Sequence, residues 1–289
     1  MILITGATGN LGKATINSLL NKGIPANNIA ALVRDESKSD EFKSKGIQVR
    51  LGDYQNFESL TSAFKDVDKL LLISSSSEIV HRFEQHKNVI DAAKETGVSH
   101  IVYTSFAMKD LRRSSMVEDV QYHAETSDYL KQLAIPYTLM ANTMYADMIP
   151  MLSGNNILEV GVSIPAGEGK VPFLPIQEMA EALAVVLTTA GHQDKEYVIA
   201  ADTAFSFAEI AELISDILDK RVTYKQPEVD AYIAQFVQNG FSEEDAAYLA
   251  RYTQAIAKGE FGTNKSDVKD LLGRSPISLK DFLGTILSK

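Results

Sequence analysis

The residues Met1-Ile-Leu-Ile-Thr-Gly-Ala-Thr-Gly-Asn-Leu-Gly12 decide how the rest of the chain is read. Ile2, Leu3 and Ile4 form a short apolar run with two β-branched members, as expected of a strand buried on both faces. Gly6, Gly9 and Gly12 follow, and the pattern Lys13 to Lys22 then carries Ile16, Leu19 and Leu20 on one helical face. A strand, a glycine turn and a helix together present backbone N–H groups and a helix N-terminus to a pyrophosphate. Gly6 permits the turn, Gly9 lets the backbone approach the phosphates, and Gly12 lets the helix pack close to the strand. The spacing is Gly-x-x-Gly-x-x-Gly, not the Gly-x-Gly-x-x-Gly of most long-chain dehydrogenases. The stretch reads as a dinucleotide site, with Gly6, Ala7, Thr8, Gly9, Asn10 and Leu11 around the phosphates.

Outward from this turn, strands and helices alternate. Asn28 to Val33 predicts a second strand ending at Arg34-Asp35, and Ile47 to Leu51 a third that closes on Gly52-Asp53-Tyr54. Lys69 to Ile73 predicts a fourth strand running into four serines, Ser74 to Ser77. His100 to Thr104, Tyr137 to Ala141 and Glu196 to Ala200 supply strands five to seven. Helices are expected over 13–22, 39–45, 57–64, 84–96, 122–133 and 176–190, with Gly97 stopping the fourth. The stretch 106–119 reads as polar and irregular, and 155–175 as loops with short strands. This rhythm predicts an α/β fold, a doubly wound parallel sheet. Residues 1–150, completed by 176–203, are expected to form a Rossmann NADP(H)-binding domain. Residues 151–175 and 204–289, mainly helical from Ser206, are expected to form a smaller substrate lid.

Composition narrows the function. The 289 residues carry a net charge of −10, which disfavours nucleic acid or an anionic membrane as partner. There is no cysteine, so disulfides, thiol catalysis and thiolate metal sites are excluded. The longest apolar stretch, 176–190, is interrupted by Glu178 and Glu181, and no basic region with an apolar run precedes the first strand. A cytoplasmic protein without leader or membrane span is the expectation. His81 and His86 lack a carboxylate in ligand spacing, so no metal site is expected.

Arg34 stands just past the second strand, where NAD-specific proteins place a carboxylate for the ribose hydroxyls. A guanidinium there suits the 2′-phosphate of NADP(H), although the adjacent Asp35 could serve an unphosphorylated ribose. Asp53 is placed to accept from the adenine amino group. Ser74, Ser75 and Ser76 follow the fourth strand at the carboxyl edge, with hydroxyls suited to ribose or phosphate oxygens.

None of the 11 tyrosines has lysine four residues on, so the Tyr-x-x-x-Lys acid of most short-chain dehydrogenases is missing. Tyr122 is the positional candidate, but Thr126 stands where the lysine should be. Ketone reduction needs a proton donor for the alkoxide; a quinone or cationic dye accepts hydride without one. For such an acceptor, holding it in contact with the nicotinamide is most of the catalysis. Tyr145 and His123 are the polar residues expected nearest the acceptor. Phe236, Phe241, Tyr248, Tyr252 and Phe261 suit either a pocket for a flat aromatic guest or the lid's own core. Arg112 and Arg113 suit either an anionic group or an exposed loop face. A homodimer is compatible with the sequence.

Thr5-Gly-Ala-Thr-Gly-Asn-Leu-Gly12, Leu32-Val-Arg34, Gly52-Asp-Tyr54, Leu70-Leu-Leu-Ile-Ser-Ser-Ser76, Tyr103-Thr-Ser105 and Pro136-Tyr-Thr138 occur in that order. In this the chain resembles the NmrA-like atypical short-chain dehydrogenases, in particular the NAD(P)H:quinone oxidoreductase 2 type and the triphenylmethane reductases. The resemblance runs the whole length, including Ala190-Gly-His192 and Ala257-Lys-Gly-Glu260. It implies an NADPH-using reductase of quinone-like acceptors with a Rossmann domain and a small lid. It further places Asn142 and Thr143 along the nicotinamide half, and Ser105 where typical members keep a catalytic serine. A redox sensor that binds NADP(H) and acts through a protein partner is the alternative it leaves open.

Overall fold

The computed structural model describes residues 1–154, 157–263 and 265–288. Its main sheet is built from β1 (Ile2–Ile4), β2 (Ile29–Val33), β3 (Gln48–Leu51), β4 (Lys69–Leu72), β5 (His100–Phe106) and β6 (Tyr137–Asn142). The short β7 (Val162–Ser163) lies elsewhere, β8 (Lys195–Ile199) completes the sheet, and β9 (Tyr224–Lys225) pairs with β7. The seven main strands run in the order β3-β2-β1-β4-β5-β6-β8, every neighbouring pair parallel. Order therefore reverses between β1 and β4, and the crevice beyond their carboxyl ends is where ligands of such sheets bind.

Helices cover both faces: α1 (Asn10–Asn21), α2 (Asp40–Ser44), α3 (Phe57–Ala63), α4 (Ile79–Glu95), α5 (Val117–Gln132), α6 (Ile149–Leu152), α7 (Ile157–Val160), α8 (Ile176–Thr188), α9 (Phe207–Leu218), α10 (Val229–Gln238), α11 (Glu243–Ala257), α12 (Val268–Leu272) and α13 (Leu279–Leu287). Alternate strand residues divide between two cores, as the pleat requires. Ile4, Ala31, Leu71 and Val102 pack with Ile16 and Leu19 of α1, Leu183 of α8 and Val268 of α12. Leu3, Ala30, Leu70 and Ile101 pack with Leu60 of α3, Val89 and Ile90 of α4, and Leu130 of α5. A third core joins Ile149, Leu152, Val162 and Phe173 to Phe207, Ile214, Phe236, Ile256 and Leu283, and it contains Met116 and Val120 of the α5 region.

The elements differ from expectation at their polar ends. Helix α4 starts at Ile79 and α5 at Val117, five residues before 84 and 122. The missed turns show no continuous apolar face: in α4 Val80 is exposed and Ile79 and Phe83 are only half-buried, and in α5 Asp119 is buried beside Val120. The stretch 155–175 holds the short helix α7 as well as β7. Positions 155, 156, 264 and 289 of the expected lid lie outside the described residues. Residues 267–274, allotted to the lid, return to the sheet. Asp267 exchanges two hydrogen bonds with Val198 of β8, and Arg274 pairs with Glu178 and Glu181 of α8. Among the described residues no helix is long and apolar enough to cross a membrane, and no group of three metal-ligating side chains occurs.

Candidate active site

At the end of β1 the chain turns through Gly6 at φ +58°, a left-handed conformation that favours glycine. Gly9 begins α1 with extended backbone, and no side chain caps this helix N-terminus. No acidic residue occupies the first turn either, so its free N–H groups remain for an anion. A Cβ on Gly12 would stand 2.4 Å from the Gly6 carbonyl oxygen, whereas one on Gly9 would meet that oxygen alone, at 3.3 Å. Gly12 thus serves the helix–turn contact, and Gly9 opens the space outside the turn. Ala7 and Leu11 are buried and offer backbone only, while Thr8 and Asn10 are exposed. Thr5 Oγ1 donates to the Leu71 carbonyl and accepts from Ile73 N, both at 3.0 Å. The Tyr54 hydroxyl donates to the Ile73 carbonyl at 2.9 Å, fixing β1 to the end of β4 beneath the turn.

Arg34 is exposed directly after β2, and Asp35 is engaged elsewhere. The Asp35 carboxylate accepts from Ser37 N at 2.9 Å, capping the turn 36–38, and hydrogen bonds from Ser37 hold its pKa below the ordinary value. That leaves the guanidinium as the group offered at the strand end. Asp53 accepts from Gln55 N at 2.9 Å, so it shapes its turn while remaining half-buried at the same edge.

The three serines separate. Ser75 gives its hydroxyl to Gln85 Oε1, which also accepts from Ser77. The Ser75 amide donates to His86 Nε2 at 2.8 Å, which puts the imidazole proton on Nδ1, 2.9 Å from Thr126 Oγ1. Thr126 in turn donates to the Tyr122 carbonyl. His86 is buried and neutral, its pKa pushed down to about 3 by burial and by Arg82. It is a strut between the serine loop and α5. Ser74 donates its amide to Thr104 Oγ1 at 2.9 Å and keeps its hydroxyl beside that of Tyr122; Ser76 is exposed.

Beyond β6, buried polar atoms stand without partners. Asn142 Nδ2, Asn142 Oδ1 and Thr143 Oγ1 are three of the four such atoms among the described residues. Each costs about 1–3 kcal/mol if left unpaired. A ligand amide or hydroxyl seated here would satisfy them. Tyr145, half-buried beside Asn142, has its pKa pushed up to about 12 by burial and stays protonated.

His123 lies in the layer between β5 and α5. Its Nδ1 is 2.8 Å from the Tyr103 hydroxyl, its ring stacks on Phe106 at 5.7 Å, and burial holds it neutral. It supports the wall formed by Phe106. Tyr122 instead meets Arg82, whose Nη1 donates to the phenol oxygen at 2.9 Å. From α11, Tyr252 packs on Phe106 and on Phe261, while Phe236 and Phe241 pack with Tyr232 inside the lid. Ser105 and Phe106 line a groove of about 400 Å³ at the β6–β8 edge, together with Arg112, Asp128 and Lys131. Arg112 pairs there with Asp128, and Arg113 is exposed near Asp110. Arg82 escaped the sequence reading: a lone arginine in a helix start carries no local signature, and only its place after the serine run could have marked it.

Residues 1–272 match the model of the NmrA-like family. The chain belongs to that family. Over 289 residues it is 37% identical to quinone oxidoreductase 2 of Escherichia coli K12, spanning all of this chain and 99% of that protein. The crystal structure of the NADPH-dependent quinone oxidoreductase of E. coli complexed with NADPH matches this NmrA-like chain with a TM-score of 0.90 at 34% identity, covering 99% of this chain and 100% of that one. Citrobacter sp. triphenylmethane reductase complexed with NADP(H) matches at a TM-score of 0.91 and 33% identity, covering 99% of each.

Proposed function

We propose that this NmrA-like protein is an NADPH-dependent oxidoreductase that reduces a quinone or a similarly electron-poor conjugated acceptor. The observation that carries the reading is the orphaned polar cluster of Asn142 and Thr143, on the same sheet edge as the uncapped N-terminus of α1. A dinucleotide satisfies both at once, its phosphates at one end and its carboxamide at the other. When bound, the cofactor supplies the hydride. The Gly6–Gly9 turn and the first N–H groups of α1 hold the pyrophosphate. Arg34 grips the 2′-phosphate, Asp53 accepts from the adenine, and Ser74 and Ser76 bond along the ribose. Phe106, Tyr252 and Phe261 form an apolar cluster, Tyr252 stacked on Phe261 and Phe106 edge-on to both, that excludes water and packs an aromatic acceptor. Tyr145 donates a hydrogen bond to the acceptor oxygen while keeping its proton. His123 holds Phe106 and Tyr103 in place rather than moving a proton.

The quinone oxidoreductase and triphenylmethane reductase relatives support this acceptor class, as does the missing Tyr-x-x-x-Lys pair. The test is oxidation of NADPH, followed by its absorbance, with a panel of neutral quinones and a triphenylmethane dye, repeated with NADH. Acceptor-dependent turnover, faster with NADPH, is expected. Tight NADPH binding without turnover on any acceptor would overturn the reading in favour of a redox sensor.

A further inference from the structure

Arg82 projects from the first turn of α4, at the carboxyl edge of the sheet and under the lid. Its Nε donates to the Ser77 carbonyl at 2.8 Å and its Nη1 to the Tyr122 hydroxyl at 2.9 Å. The guanidinium carbon lies 5.2 Å from the Tyr122 ring centre. Tyr248 of α11, hydrogen-bonded at 3.0 Å to Tyr252, is among the groups that influence it. The Tyr122 ring centre in turn lies 4.2 Å from that of His123, which stacks on Phe106 at 5.7 Å. Through Tyr122 and His123 the cation is therefore linked to the aromatic cluster of Phe106 and Tyr252.

What Arg82 lacks is an anion. It is half-buried, and no ion pair among the described residues includes it; the groups around it are phenols and carbonyls. By contrast Arg251 and Arg274, the other arginines that tie elements together, each end on carboxylates. A partly desolvated guanidinium is favourable when it meets a negative partner. It has five N–H donors, and Ser77 and Tyr122 account for two.

We propose that Arg82 is the specificity residue of the acceptor site and selects aromatic acceptors that carry an anionic substituent, such as a sulfonate, carboxylate or ionised hydroxyl. This deepens the reductase reading above and rests on it. The same cation disfavours positively charged dyes, which separates this chain's preference from that suggested by its triphenylmethane reductase relative.

The experiment compares a neutral naphthoquinone, its ring-sulfonated anion and a cationic triphenylmethane dye with wild type, Arg82→Met and Arg82→Lys. In the wild type the KM for the sulfonate is expected about tenfold below that for the neutral quinone, a difference worth about 1.4 kcal/mol. Arg82→Met should bring the ratio of the two KM values to about one or above and lower the KM for the dye. Arg82→Lys, which keeps the charge, should retain part of the preference. Added salt should erode the preference in wild type and leave Arg82→Met unaffected. Equal KM values in the wild type, or a ratio unmoved by Arg82→Met, overturn the proposal. So does an effect confined to the KM for NADPH, which would assign the guanidinium to the cofactor. If no quinone is turned over, the reductase reading fails separately. Calorimetric binding of the sulfonate to NADPH-loaded wild type and Arg82→Met then decides the role of Arg82 by itself.

Discussion

Gly9 and Gly12 are glycines for different reasons, and alanine separates them. In Gly12→Ala the new methyl meets backbone atoms at 2.4 and 2.8 Å, so α1 must shift from the turn; a loss of about 2–3 kcal/mol in urea unfolding is expected. In Gly9→Ala the backbone angles, φ −79° and ψ 167°, already suit alanine, and stability should fall by no more than about 1 kcal/mol. The methyl instead projects to where phosphate oxygens would sit, so the KM for NADPH should rise about tenfold or more. Arg34→Ala should raise the KM for NADPH about tenfold while that for NADH changes little, because the pairing is with the 2′-phosphate alone. Steady-state kinetics with both cofactors checks this. These residues were legible because the glycine turn and the end of a parallel strand are local features with fixed partners. Ser75 and His123 were not legible as struts. Their partners, Gln85 for one and Tyr103 for the other, come from elements ten and twenty positions away in sequence.

Helix α11 is tied to α5 by Arg251, which forms a bidentate pair with Asp119 at 2.6 and 2.8 Å. Asp119 is buried and Arg251 is partly exposed, so the pair is stronger than a surface bridge and weaker than one deep in a core. Arg251→Met leaves a buried carboxylate alone and should destabilise by about 2 kcal/mol. The same helix carries Tyr248 and Tyr252, so the KM for the acceptor should rise while the KM for NADPH holds. Adding Asp119→Asn to Arg251→Met should recover part of the stability. At this scale the alternation of strand and helix predicted the seven parallel strands and most helices. Where it misplaced the starts of α4 and α5, the cause was physical. Their first turns present no continuous apolar face, with Val80 exposed in one and Asp119 buried beside Val120 in the other, so hydrophobic periodicity does not register them.

Across the whole molecule, three histidines are buried in neutral form. Burial lowers His86 to about 3 and His100 to about 4, and drives His123 well below the usual value. In the unfolded chain each titrates near 6.5. The unfolded state therefore binds more protons below that pH. Stability is fully present above about 6.5 and is lost as the pH falls towards the folded values. The loss approaches about 1.4 kcal/mol per histidine for each pH unit. Urea midpoints should drop steeply between pH 6.5 and 4.5, and His86→Gln should flatten that slope by about a third. A midpoint independent of pH over this window would contradict neutral burial. None of this was visible in the chain, where His86 stands between Gln85 and Lys87 and His100 only opens the fifth strand after Ser99.

The return of residues 267–274 to α8 and β8 means that the chain enters and leaves the lid more than once. Among the described residues, segments within 106–120, 144–154, 157–173, 205–261 and 279–287 feed the third core, separated by segments that belong to the sheet. The lid is not a cassette. A chimera that exchanges this core with that of another NmrA-like protein by a single splice would inherit a mismatched core.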